Sequence, residues 1–294
     1  MPLDKPSIIF KTLKFKTIMK NIQYIFLLLI TFTGFSQDIA PEKYTAHNKG
    51  KFYIYWGGNR DVYSKSDIHF TGADYDFTLY DVTAQDKPKG WHIDYINPGR
   101  MTIPQTNFRL GYFITDKYNI SVGVDHMKYV MYQDKAVNYT GHYPNKGTFG
   151  EVLPNNQILL TEDFLTFEHT DGLNYVNTEI ARVDDISKII GLPNTDKFQI
   201  NFTEGIGAGV LYPKTNAKLL GKERHDDFHI SGYGFSAKAG LNFTFFKYFF
   251  IQTELKGGYI NMNDIKTTFS NTDKASQHFW FLEKVIAVGG VFRL

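Results

Sequence analysis

Apolar residues recur at every second position over much of this chain. Near its C-terminal end Tyr233, Phe235, Ala237, Ala239, Leu241, Phe243 and Phe245 alternate with Gly234, Ser236, Lys238, Gly240, Asn242 and Thr244. Phe249, Ile251 and Leu255 repeat the pattern around Gln252, Glu254 and Lys256, and Ile286, Val288, Gly290, Phe292 and Leu294 run to the last residue. A period of two gives a strand one apolar face and one polar or small face. Upstream, Phe52, Ile54 and Trp56 predict a first strand, ended by Gly57, Gly58 and Asn59. Residues 67–80 predict a second, with Ile68 and Phe70 on one parity and Tyr75, Phe77 and Leu79 on the other; a β-bulge near Gly72 accounts for the switch. A short strand is expected at 91–96, a clear one at 107–114, and others from Ile120 onward, at 163–182 and at 198–212.

Short turns are expected at 115–118, 194–197 and 246–247, and long connections at 133–160, 213–227 and 262–277. Long strands joined alternately by short turns and long polar loops predict an all-β fold, an antiparallel transmembrane β-barrel of the bacterial outer membrane. Counting back from the C-terminal end gives about ten strands, with eight to twelve compatible. Short turns then face the periplasm and long loops the outside.

The N-terminal region fits that location. Lys11, Lys14, Lys16 and Lys20 precede an apolar run at 24–30, and Gly34 and Ser36 stand at the −3 and −1 positions of a cut before Gln37. This pattern is read as a secretory signal peptide over 1–36, with Met19 as an alternative start. Residues 37–294 are then one barrel domain. No other apolar run approaches the ~20 residues of a transmembrane helix. Removing the signal takes away five of 32 basic and one of 30 acidic residues and leaves a formal charge of −2, so nothing points to nucleic acid. The chain has no cysteine, hence no disulfide and no lipidation site. Its 19 tyrosines and 26 phenylalanines suit aromatic girdles at two membrane interfaces without invoking a ligand.

Signal, alternation, aromatic content and the terminal Phe292-Arg293-Leu294 together resemble the bacterial outer-membrane β-barrel superfamily, which includes OmpA- and OmpW-like barrels. The resemblance covers 37–294 and implies lipopolysaccharide and the barrel-assembly machinery as surroundings, with an envelope partner protein as a further possibility. It implies a non-enzymatic structural barrel or narrow conduit. A lipid A-modifying hydrolase and an accessory subunit of an envelope complex are the alternatives.

Polar residues of inward parity, Asp74, Asp76, Arg109, Asp125, Lys238, Glu254, Lys256 and Glu283, form the expected lumen set. Both signs occur, and unpaired charges in a confined space are costly, so a salt-bridge network is expected. Gly205, Gly207 and Gly209 face the same interior and leave room for large side chains. His229 and Ser231, two positions apart and so on one strand face, resemble the His-x-Ser pair of PagL-type lipid A deacylases, which implies a membrane-facing serine activated by the histidine. Gly232 stands where that family has Asn. Glu204 has outward parity, but hairpin pairing places it opposite about Ala239, ten residues or roughly 33 Å along the strand from His229. A second polar cluster comprises His126, Glu168, His169, Asp171 and Asn174. Its spacing matches no metal-ligand motif, and neither a metal nor another cofactor is expected.

Overall fold

The computed structural model describes residues 47–90, 92–96, 100, 104–192, 197–222, 224 and 227–294. The segment 1–36, expected to be a signal peptide, and the 194–196 part of one expected turn lie outside the described residues. The strands in chain order are β1 (Phe52–Tyr63), β2 (Ser66–Thr71), β3 (Asp76–Val82), β4 (Ala84–Gln85), β5 (Thr106–Phe113), β6 (Tyr118–Met131), β7 (Ala136–His142), β8 (Glu151–Leu153), β9 (Gln157–Leu159), β10 (Leu165–Asp185), β11 (Phe198–Leu211), β12 (Asn216–Leu219), β13 (Gly232–Phe245), β14 (Phe249–Lys266) and β15 (Lys274–Phe292).

Eight of these close a ring in the order β1, β5, β6, β10, β11, β13, β14, β15, and β15 returns to β1 through the register Phe52↔Phe292 to Tyr63↔Phe281. Every pairing is antiparallel. Closure satisfies each strand's backbone groups on both sides, the requirement for crossing a bilayer with strands. The ring thus stands at the lower end of the expected range, and the remaining strands extend it at one end.

Both chain ends of the ring and its short turns share one rim. At 246–247 the hairpin turns on Phe246 (φ 52) and Lys247 (φ 68), the two consecutive positive angles of a two-residue primed turn. The Thr115 hydroxyl accepts from the Tyr118 backbone N–H at 2.9 Å and tightens the β5–β6 turn. The opposite rim carries the long connections.

Along the ring the outward face is apolar: Ile54, Leu110, Ile120, Val122, Ile180, Ile206, Phe235, Leu255 and Ile286 are all exposed. The inward face is polar at mid-height, and near the upper rim it turns aromatic. Tyr63, Tyr129, Tyr175, Phe279 and Phe281 begin a buried cluster that runs on through Phe70, Phe77, Phe164 and Phe167 in the long connections. Those connections are therefore structured. β2 pairs with the upper end of β15, β3 with β2, β7 with β3, β9 with β7 and β8 with β9. β12 and β4 pair with the upper parts of β10 and β6.

Three sequence expectations change. The parity switch at Gly72 is a reversal: the Gly72 backbone N–H donates to the Tyr75 carbonyl at 2.9 Å, and 67–80 becomes the β2–β3 hairpin. Glycines 57 and 58 do not end β1, because both have ladder partners on β15 and β5. A side chain at Gly57 would lie 2.4 Å from the Ile286 carbonyl oxygen, so glycine permits the close approach there. The segment 91–96 holds a 3-10 turn at Ile93–Ile96 rather than a strand. Its Asp94 carboxylate takes contacts from Lys89 and His92, an arrangement that favours a turn over a ladder.

Candidate functional site

The bore is occupied at mid-height by a network of charged side chains, each set by strand parity. Arg109 of β5 points inward and is completely buried. Its guanidinium reaches Glu179 Oε1 at 2.9 Å and donates to Asn177 Oδ1 at 2.8 Å, Tyr55 Oη at 3.1 Å and Ser121 Oγ at 3.2 Å. Lys256 of β14 enters from the other wall and lies 2.6 Å from Asp125 and 2.9 Å from Glu179. Lys238 of β13 reaches Glu179 at 2.6 Å and Glu254 at 2.9 Å. Glu179 is thus the hub, with all three cations on its carboxylate. Gly207 sits across the β10–β11 ladder from it, and a side chain there would lie 2.8 Å from Glu179 Cγ.

Carboxylates outnumber the cations, and amide donors meet the surplus. Asn107 donates to Asp125 and to Glu283, each at 2.8 Å, and Gln105 donates to Asp61 at 2.9 Å. Buried charges persist only with such partners, because removing them from water costs several kcal/mol each. Below the network, toward the short-turn rim, Tyr53, Tyr55, Phe113 and Phe250 pack into a second buried cluster.

Six of the eight residues expected in the lumen meet in this cluster: Arg109, Asp125, Lys238, Glu254, Lys256 and Glu283. The expectation for Asp74 and Asp76 is corrected. They flank the β2–β3 reversal beyond the upper rim, where Asp74 pairs with Lys222 at 2.9 Å and Asp76 with His69 at 2.8 Å. Burial works against the Lys222 charge, but Asp74 and Asp273 outweigh it and hold the ammonium above its ordinary value. Glu179, Asn177 and Asp61 were not anticipated. Glu179 alternates in step with Asn177 and Ala181, the signal that marks its face.

Among solved structures the chain is similar to the outer membrane protein OprG from Pseudomonas aeruginosa, at 9% identity over 84% of this chain and 98% of that one, TM-score 0.38. It is similar to Neisserial surface protein A at 12% identity over 82% and 99%, TM-score 0.32. Ail of Yersinia pestis shares 12% identity over 81% and 99%, TM-score 0.27. Likenesses this loose carry nothing about activity. No protein-family model matches the chain, and no curated protein matches it. The deciding feature is internal: a closed antiparallel ring, apolar outside and polar inside. The chain is an antiparallel transmembrane β-barrel.

Within that barrel His229 and Ser231 do approach each other, with Ser231 Oγ 3.2 Å from His229 Nε2. The same nitrogen also meets the Asp264 backbone carbonyl. A carbonyl oxygen only accepts, so Nε2 carries the proton and has no lone pair with which to activate the serine. Ser231 is also completely buried, and not membrane-facing as the deacylase resemblance implies. Asn263 and Asp264, at a register shift in β14, fold over it and bond to its carbonyl. Glu204 lies opposite Ala239, the register anticipated, and far from His229.

The second cluster is dispersed. His126 Nδ1 meets Asn174 Oδ1 at 2.7 Å near the upper rim. His169, above the membrane belt, faces inward against Thr215 at 2.9 Å and Gln277 at 3.1 Å. Burial pushes its imidazole down to about 3. Glu168 pairs with Lys87 at 3.3 Å, and Asp171 lies 3.8 Å from both Lys214 and Arg224. Among the described residues no group of three or more His, Asp or Glu is placed to hold a metal ion.

Proposed function

We propose that this protein is a sealed, non-conducting anchor that holds a folded platform on the outer face of the membrane. The observation that carries the reading is the bore itself: Arg109 and Lys256 are both 0% exposed, and their ion pairs join opposite walls. Eight-stranded barrels have interiors just wide enough for side chains to fill, and here those side chains are charged and paired. The working surface is then the platform built by β2, β3, β7, β8 and β9, whose aromatic core is continuous with the upper inward face of the ring. A platform with a buried core presents a fixed surface to a partner or ligand, as mobile loops do not.

The chain lacks cysteine, so single-cysteine labelling tests this directly. Asn271→Cys, in the β14–β15 connection, is expected to react with a membrane-impermeant maleimide on intact cells. Lys188→Cys, on the short-turn rim, is expected to react only after the cells are opened. The reverse pattern would place the platform in the periplasm and end this reading.

A further inference from the structure

A carboxylate stands on the lipid-facing side of the ring. Glu204 of β11 points outward between Phe202 and Ile206, which are 37% and 67% exposed. Arg182 faces it across the β10–β11 ladder, but the guanidinium is turned to Asp184, with Nε 2.6 Å from one carboxylate oxygen and Nη2 3.1 Å from the other. Among the described residues Glu204 forms no ion pair of its own. A carboxylate set against hydrocarbon without a partner is costly, and such residues mark function.

Glu204 does not stand on a smooth wall. Together with Tyr118, Ile180, Arg182 and Ile206 it borders an open recess of about 410 Å³, with Ala181, Gly205 and Lys238, all of inward parity, at the base. The recess lies toward the short-turn rim, since Tyr118 opens β6 and β10 ends at Asp185, just past Arg182. With the short turns on the periplasmic side, as the proposed function has them, that rim lies in the periplasmic leaflet, which is built from glycerophospholipids. The recess therefore offers an anion, a cation with donors to spare, and apolar flanks at one height. Asp184 engages two of the five guanidinium N–H groups, and the others remain for a ligand.

We propose that this recess binds the headgroup of an aminophospholipid. The primary ammonium sits on Glu204, the phosphate on Arg182, and the acyl chains lie along Ile180 and Ile206. Phosphatidylethanolamine has all of these groups. Phosphatidylglycerol lacks the ammonium, and phosphatidylcholine has no N–H to donate. The assignment rests on the orientation of the proposed function and stands whether or not the bore conducts.

Native mass spectrometry of the intact barrel with equimolar phosphatidylethanolamine, phosphatidylglycerol and phosphatidylcholine tests it. Heat-shifted electrophoretic mobility checks that each variant is folded. Retention of phosphatidylethanolamine above the other two is expected. Glu204→Gln should abolish that preference while phosphatidylglycerol retention is kept, and Arg182→Gln should lower retention of both. Equal retention of the three lipids by the unaltered protein would overturn the proposal, as would a preference that survives Glu204→Gln. If Glu204→Gln instead releases a second copy or a protein partner and leaves lipid retention unchanged, the recess is a protein contact and the proposal fails.

Discussion

The bore and the platform core are both buried, yet they are built from opposite chemistry. Inside the bore Arg109, Lys238 and Lys256 pair with a set of carboxylates, and amides meet the surplus. Inside the platform and where it meets the ring the contacts are aromatic, such as Phe70 with Phe77 at 5.1 Å and Phe70 with Phe167 at 5.6 Å between ring centroids. The same strands serve both. Along the inward face of β14, Glu254 and Lys256 give way to Ile260 and Met262, while the outward face changes from Leu255 through Tyr259 to Asn261. On β10 the inward face changes from Glu179 and Asn177 to Tyr175, Leu173 and Phe167. Polarity inverts along a continuous ladder, and the inversion marks the upper edge of the membrane. Below it the solvent is hydrocarbon and the apolar face must point out. Above it the solvent is water and the apolar face turns in.

The two cores should therefore fail differently. Lys256→Met is expected to do most damage, since it leaves Asp125 and Glu179 short of their shared cation; removing one partner of a buried pair costs about 3–5 kcal/mol. The loss should appear as a lower urea midpoint for the whole ring. Phe167→Ala removes a ring from the platform core, at a cost of about 3 kcal/mol. Here limited proteolysis should cut the platform while the heat-shifted band of the closed barrel persists; loss of both together would erase the distinction.

Acid sharpens the comparison further. The folded pKa of His169 lies at about 3, below its unfolded value of roughly 6.5, so the unfolded chain binds more protons between the two. That contribution to stability is complete above pH 6.5 and is lost as pH falls toward 3. Platform proteolysis should rise over this window, and His169→Gln, which keeps a donor and an acceptor, should flatten the rise. The smallest effect is expected from Ser231→Ala. Losing its contact with His229 costs about 1 kcal/mol or less, and mass spectrometry of lipid A should show the same acyl chains with either protein. A difference in acylation would revive the hydrolase reading.

Alternation alone was enough to place Arg109, Asp125, Lys238, Glu254, Lys256 and Glu283 on inward faces, because parity is a local property of a strand. The partners they choose across the bore are set by closure, which no single strand reveals. Asp74 and Asp76 show where parity fails: a bulge and a tight reversal switch the apolar face in the same way, and only pairing separates them. The platform strands β7, β8 and β9 span few residues, too few for a period of two to stand out from a polar connection. The approach of His229 to Ser231 is local and could be read from their spacing. The burial of Ser231 is not, since it depends on the register shift that lays Asp264 across it.

The most direct test of the central claim is the conductance of single purified barrels in a planar bilayer. A bore filled by paired charges predicts no stable current steps across the folded protein, with steps appearing only when Arg109 and Lys256 are both replaced by Ala. Stable, uniform steps from the unaltered protein would show an open path through the network and contradict the account.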